Sequence, residues 1–402
     1  MAVIFIVSFV LSVAVIWLLL RTKLAWRIAT DIPNDRSLHT APVPRVGGWG
    51  LVPAAVVAAC ALGAADWVLA GVAALLFAVS YIDDRVGLPI VIRLPIQAVA
   101  AALWLALGPV AVPFVVAALA TFAIVWVTNL FNFMDGADGL AGGMAFFAFS
   151  AYAVVAAATG LTPLAAWSIA LAGASAGFLL FNFNPAKVFL GDAGSVTVGF
   201  LAGAFGIWGW SAEAWPVWFP FLVSAPFFLD ATATILRRMF SGEAFWRAHR
   251  EHYYQRLIRS GWSHRRTALC EYLLMAASAA LAIAMLSWST AAQSVALGGV
   301  AIVYVSLAYA IDRRWAAFQA ASSEELASQA ALADRRAGPV PHKQGATANV
   351  GTQGGYLGET VSRSRRAGDL GRSASRHEHA TRARLDESAY RRESDSAAVE
   401  ER

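Results

Sequence analysis

Before Trp315 the chain is divided into eleven apolar runs of about twenty residues, the length a helix rising 1.5 Å per residue needs to cross a bilayer core of roughly 30 Å. They fall at 2–20, 47–64, 66–82, 94–110, 112–130, 143–160, 163–181, 195–211, 216–236, 267–286 and 292–311. With 58% hydrophobic and 14% charged residues and a mean hydropathy of +0.57, the chain lacks the polar surface of a water-soluble globule. The expected fold class is all-α integral membrane, a bundle of about eleven transmembrane helices with lipid as its solvent.

Charge placement orients the bundle. Every Lys and Arg before Trp315 falls in alternate loops: 21–45, 83–93, Lys187, 237–266 and Arg313–Arg314. Lys and Arg resist translocation, so these loops are expected in the cytosol, the N-terminus outside and the C-terminus inside. The first run has no cationic start and no small-residue cleavage site, so it reads as a span and not as a signal peptide. Most acidic residues share the basic side, and only Asp66 and Glu213 fall on the other. A transporter would more often carry ionisable groups near the midplane, along a path. Cys60 and Cys270 fall toward opposite ends of their spans, too far apart to pair.

After Trp315 the apolar runs stop and Ser, Ala, Gly, Arg and Glu dominate. The expected organisation is a polytopic membrane domain at 1–315 and a cytosolic, disordered tail at 316–402, with room for a short helix around Ser323–Arg336. No long soluble insertion forms a separate catalytic domain. Any chemistry therefore belongs to the cytosolic loops.

Three of these loops carry oxygen ligands. Tyr81-Ile82-Asp83-Asp84-Arg85 places adjacent carboxylates where a span meets the cytosol, and adjacent helical side chains point about 100° apart. Separate roles follow, such as one metal contact and either one base or a second metal contact; a solvated acidic helix end is the plain alternative. Asn129, Asn132, Asp135 and Asp138 recur every three residues through a glycine-rich stretch ending at Gly143. Such all-oxygen donors suit a hard cation such as Mg²⁺ better than zinc, and a structural loop with Asx turns is the alternative. In the third loop, Asn182 through Ser195, Asp192 opens a span where free amides hold an anion, and plain capping by Asp192 or Ser195 is the alternative. Five carboxylates on one face repel a phosphorylated substrate unless a cation intervenes, which implies Mg²⁺, with Mn²⁺ as its substitute. The basic loop 237–266 supplies guanidinium groups suited to phosphate and also serves topology and anionic lipid. Zinc held by His249 and His252 is disfavoured, since no Cys lies nearby.

At these loops the sequence resembles the polyprenyl-phosphate N-acetylhexosamine-1-phosphate transferase family (glycosyltransferase family 4), which includes the initiating enzymes of O-antigen and teichoic acid synthesis and the translocase that makes lipid I. The resemblance covers nearly all of 1–315 and rests on Asp31–Ser37 through Pro44–Gly48, Asp83-Asp84, Asn132–Gly143 and Asn182–Ser195. It implies a Mg²⁺-dependent attack of a polyprenyl phosphate on the β-phosphate of a UDP-sugar, with release of UMP. Carried over residue by residue, it makes Asp83, Asp84 and Asp192 catalytic, with Asp84 and Asp192 on the metal. Asn132, Asp135, Asp138 and Asn182 fall on the nucleotide and phosphate site, and Phe189 on the aromatic position that stacks on uracil. Arg45, Lys187, His249, Arg250 and His252 are assigned with them to the substrate.

The departure lies at His249-Arg250-Glu251-His252-Tyr253-Tyr254-Gln255-Arg256, where compact paired-histidine signatures are usual in the family. This spacing is similar to that of the O-antigen branch acting on deoxy-N-acetylhexosamines such as QuiNAc or FucNAc; an N-acetylglucosamine donor is the alternative. The implied setting is the bacterial inner membrane, multi-pass, with a cytosolic active site, a UDP-HexNAc donor, an undecaprenyl phosphate acceptor, no nucleic acid, and homodimerisation left open. A transporter of anionic lipid or sugar and a silent membrane scaffold are the readings from other classes. The chain has no G-x-x-x-x-G-K-[ST] loop, so no ATP site is expected.

Overall fold

The computed structural model describes residues 1–33, 38–62, 65–243 and 249–337. Inside a bilayer every backbone amide must be paired within the protein, which leaves helices and closed barrels, and apolar runs of about twenty residues have the length of the helix. Among the described residues nine helices are long and apolar enough to span. They are α1 (Ala2–Arg21), α4 (Trp67–Val86), α5 (Ile90–Leu107), α6 (Phe114–Met134), α7 (Leu140–Ala158), α8 (Thr162–Asn182), α9 (Asp192–Ser211), α13 (His264–Met285) and α14 (Thr290–Ala337). The chain is an all-α, multi-pass membrane protein.

Two of the eleven apolar runs fold differently from a plain span. The run at 47–64 becomes α3 (Gly47–Ala61), only 15 residues long. The run at 216–236 breaks into α10 (Trp218–Val223) and α11 (Ala225–Phe240) at Ser224. Pro226, in the first turn of α11, has no amide hydrogen and its ring crowds the carbonyl four residues back, which favours a break there, although Pro53 and Pro95 are accommodated inside α3 and α5. The short helices α2 (Ala25–Ile28) and α12 (Tyr253–Arg259) and a two-residue hairpin, β1 (Thr30–Asp31) with β2 (Val43–Pro44), lie between spans.

The first compact unit is Met1–Ile311. Helices α7, α8 and α9 form its interior, buried on nearly every side. Their small residues permit this: a Cβ added at Gly173 or Gly177 of α8 would strike the Phe5 or Phe9 carbonyl of α1, so the two backbones touch where a larger side chain would hold them apart. Helices α1, α4, α5 and α6 keep apolar side chains exposed toward lipid. Cys60 and Cys270 are both free thiols. In the second unit, which starts at Asp312, the described residues 312–337 continue α14 as helix, where the sequence led us to expect a disordered tail from 316 and a separate short helix. Residues 338–402 lie outside the described residues.

Candidate active site

One end of the bundle gathers the ends of α4, α6 and α8, the starts of α3, α9 and α13, and the β1–β2 hairpin. Backbone pairing builds the floor: Phe189 N donates to Pro44 O at 2.9 Å, and Gly47 N and Gly48 N donate to the Phe189 and Leu190 carbonyls at 2.8 and 2.9 Å. Glycine is required at the contact of α3 with α9, because a Cβ on Gly48 would stand 2.6 Å from Gly194 Cα.

The two adjacent carboxylates of α4 do different things, as their divergent directions require. Asp83 turns to the start of α5, accepting Leu88 N at 2.6 Å and Arg93 Nη1 at 2.8 Å. Asp84 turns inward, its side chain only 1% exposed, and accepts the amides of Asp192 and Ala193, both at 3.1 Å. It therefore caps α9 from another helix. The N-cap residue, Gly191, has no side chain to offer and holds φ at +75°, where a residue with a Cβ is strained. Neither Asp192 nor Ser195 caps α9, which sets aside the capping alternative for that loop; each Asp84 oxygen accepts one backbone amide and keeps a further lone pair for the metal contact expected of it.

Capping of α9 leaves the Asp192 carboxylate free of that duty and 31% exposed. Asn132 Nδ2 donates to Asp192 Oδ1 and to Ser195 Oγ, each at 3.1 Å, and Arg93 Nη1 stands 3.6 Å from Asp192 Oδ2. Asp192 borders a cavity of about 230 Å³ whose wall also includes Asp31, His39, Arg45, Asp135, Asp138 and His264. Arg45 reaches Asp31 Oδ1 at 2.8 Å and Asp84 Oδ1 at 3.5 Å. Asp135 lies just past the end of α6, and burial, followed by the nearby Asp192 charge, pushes its carboxyl well above the usual range. Asp138 accepts Asn184 Nδ2 at 2.9 Å and Ala186 N at 3.1 Å, and Asn182 ties Gly139 N to Val188 O. These two side chains thus shape the loops that enclose the cavity. Phe189 lines it with the His39 ring edge-on at 4.9 Å.

The sequence-expected residues Arg45, Asp83, Asp84, Asn132, Asp135, Asp138, Asn182, Phe189 and Asp192 are therefore assembled in one place. Lys187 is exposed and outside the cavity wall. His249, Arg250 and His252 are also outside it; from their segment, Gln255 is the residue that reaches the cavity. His252 is buried, its Nδ1 3.3 Å from Asp230 Oδ1, and Asp230 also accepts Tyr253 N and Tyr254 N at 2.9 and 3.1 Å. Burial, and then the facing His252 ring, lowers the His249 pKa to about 4. Asp31, His39, Arg93, Gln255 and His264 join the site without having been singled out for it. Asp31 opens the Asp31–Ser37 motif and His39 follows it, a signal that could have found them; Arg93 and His264 had only their place in basic loops.

Among the described residues no three His, Cys, Asp or Glu stand close enough to hold an ion unaided. Mg²⁺ commonly takes one or two carboxylates and completes its shell with substrate phosphate and water. Asp135 and Asp192, two neighbouring oxygen donors on one cavity wall, fit an ion bound in that way.

Fold and site together define a multi-pass membrane enzyme whose carboxylate-rich polar cavity lies at one end of a helical bundle. The pattern of glycosyl transferase family 4 matches residues 67–209. A probable undecaprenyl-phosphate N-acetylglucosaminyl 1-phosphate transferase of Bacillus subtilis is 28% identical over 67% of this chain and 81% of its own length. Decaprenyl-phosphate N-acetylglucosaminephosphotransferases of Mycolicibacterium smegmatis and Mycobacterium tuberculosis are 32% and 30% identical, over 61% and 71% of this chain and 72% and 83% of their own lengths. The chain belongs to glycosyl transferase family 4 and is a membrane phosphotransferase.

Proposed function

We propose that the protein transfers a HexNAc 1-phosphate from a UDP-sugar to undecaprenyl phosphate at the cytosolic face of the bacterial inner membrane, releasing UMP and starting an O-antigen or other surface polysaccharide. The observation that carries this reading is the adjacency of two unlike spaces. The polar cavity holds Arg45, Asp135 and Asp192, and Asn132 beside it is followed back along α6 by Phe131 and Leu130, which line an apolar groove of about 340 Å³ between α6, α9, α10 and α11. A diphosphate belongs in the first space and an isoprenoid chain in the second. The relatives' names, which pair a polyprenyl phosphate with a sugar phosphate, support the reaction class.

In the reaction an oxygen of the acceptor phosphate attacks the β-phosphorus of the donor. One P–O bond forms there, the bond to the bridging oxygen of the α-phosphate breaks, and UMP leaves with that oxygen. Asp135 and Asp192 would hold Mg²⁺ (Mn²⁺ in its place), which when bound offsets charge on the diphosphate. Arg45, held by Asp31, and Arg93, held by Asp83, add fixed positive charge beside it. Asp84 positions Asp192 by anchoring the start of α9.

The favoured donor is a deoxy-HexNAc such as QuiNAc or FucNAc, on the spacing of His249–Arg256. A GlcNAc donor is the second reading, supported by the names of the relatives. Purified protein with undecaprenyl phosphate, Mg²⁺ and a panel of UDP-sugars decides between them. Because one phosphoanhydride is exchanged for another, labelled UMP should also return label from the lipid product into UDP-sugar, and chelation of the metal should stop it. Verified lipid product with folded protein and no exchange would exclude the reaction.

A further inference from the structure

Two imidazoles of the cavity wall, His264 and His39, have no part in this scheme, and His264 is the more enclosed. His264 is the first residue of α13; its side chain is 10% exposed and lines the same cavity as Arg45, Asp135 and Asp192. Neither Nδ1 nor Nε2 has a hydrogen-bond partner in the protein. The nearest carboxylate oxygen, Asp138 Oδ1, is 3.8 Å from Nδ1, too far to accept a hydrogen bond, and the other oxygen of Asp138 is committed to Asn184 and Ala186. Capping cannot explain the residue either, because Ser263 Oγ accepts Arg266 N at 3.2 Å and so caps α13 without it.

A buried ring nitrogen left without a partner costs about 1–3 kcal/mol, so native proteins rarely retain one that nothing uses. We propose that His264 is a donor-binding residue: its imidazole gives a hydrogen bond to an oxygen of the nucleotide sugar, with Asp138 behind Nδ1 so that Nε2 faces the ligand. The inference rests on the transferase reading above. The ligand chemistry is an oxygen acceptor, which either the nucleotide half or the sugar-phosphate half of the donor can supply. His39, near enough to feel the charges of Asp138 and His264, has its unpartnered Nε2 3.8 Å from Asp31 Oδ2. The cavity therefore presents two imidazoles, each with a ring nitrogen 3.8 Å from a carboxylate oxygen, and in His264 both nitrogens lack a protein partner.

The test uses the full-length protein in detergent with Mg²⁺, comparing wild type, His264→Ala and Ser263→Ala. In His264→Ala the donor KM should rise about tenfold, the loss of one good hydrogen bond, with the acceptor KM within about twofold of wild type. Calorimetry with UMP separates the sources: weakened UMP binding places the contact on the nucleotide, and unchanged UMP binding beside a raised donor KM places it on the sugar phosphate. Unchanged donor KM and UMP affinity overturn the proposal. So does an equal rise in acceptor KM, or an equal donor effect in Ser263→Ala, since either would report only a disturbed start of α13. Should His264→Ala fail to fold, His264→Phe keeps a ring of similar breadth without the nitrogens and is judged by the same criteria. Wild-type protein that turns over no UDP-sugar is a failure of the transferase reading; normal donor binding in a folded His264 variant is a failure of this one.

Discussion

Replacing Asp84 separates a positioning role from a chemical one. Its carboxylate is nearly inaccessible and accepts two amides at the start of α9, the most enclosed of the spans. In Asp84→Ala both amides lose their acceptor in a buried setting, which costs about 1–3 kcal/mol each, or about 2–6 kcal/mol together. The start of α9 should then shift, carrying Asp192 away from Asn132 and Asp135. Turnover should fall at least about a hundredfold, and thermal unfolding in detergent should move down by several degrees. Asp84→Asn retains one acceptor oxygen and should fall between the two in stability. Asp192→Asn is the contrasting variant: its side chain accepts one bond from Asn132 and caps nothing, so it should lose turnover while unfolding near the wild-type temperature. An Asp84→Ala protein that is inactive yet as stable as wild type would refute the capping argument and return Asp84 to a direct part in the chemistry.

Asp135→Asn should lower turnover at least about a hundredfold and raise the Mg²⁺ concentration needed for half-maximal rate, read from a metal titration; an unchanged titration would remove Asp135 from the ion. The lowered His249 pKa means that protonation opposes the folded state, so stability should be full above the ordinary histidine value and fall as pH drops from about 6.5 toward about 4. His249→Gln should flatten that acid limb in thermal unfolding, and an unaltered slope would refute the assignment. Asp230→Ala should weaken the docking of the 252–255 segment and lower turnover about tenfold or more, since Asp230 accepts two amides of α12 and faces His252; activity within twofold of wild type would show that the segment docks without it. Truncation after Ala337 should leave UDP-sugar turnover within about twofold of wild type, because the site is built from residues of the first unit.

The division of labour between sequence and structure follows from the range of the forces involved. Burial of an apolar run in lipid depends on that run alone, so hydropathy located the spans, and the residues of the site stood where charge and glycine interrupt them. The loop carboxylates Asp135, Asp138 and Asp192 were legible for the same reason. Even the separate duties of Asp83 and Asp84 followed locally, from the 100° between neighbours on a helix. Which carboxylate received which duty could not, because the deciding contact joins Asp84 to amides 108 and 109 residues away. The break at Ser224 was hidden by a run as apolar as its neighbours, and proline does not single it out, since Pro53, Pro95 and Pro220 sit inside helices. Likewise, the histidine segment looked like part of the wall, and only packing decided that Gln255 and His264 reach the cavity while His252 turns to Asp230. The sequence by itself determined what must cross lipid and what must stay polar at its edge; the close approach of distant helices decided which of those polar groups carries structure and which is left to meet a ligand.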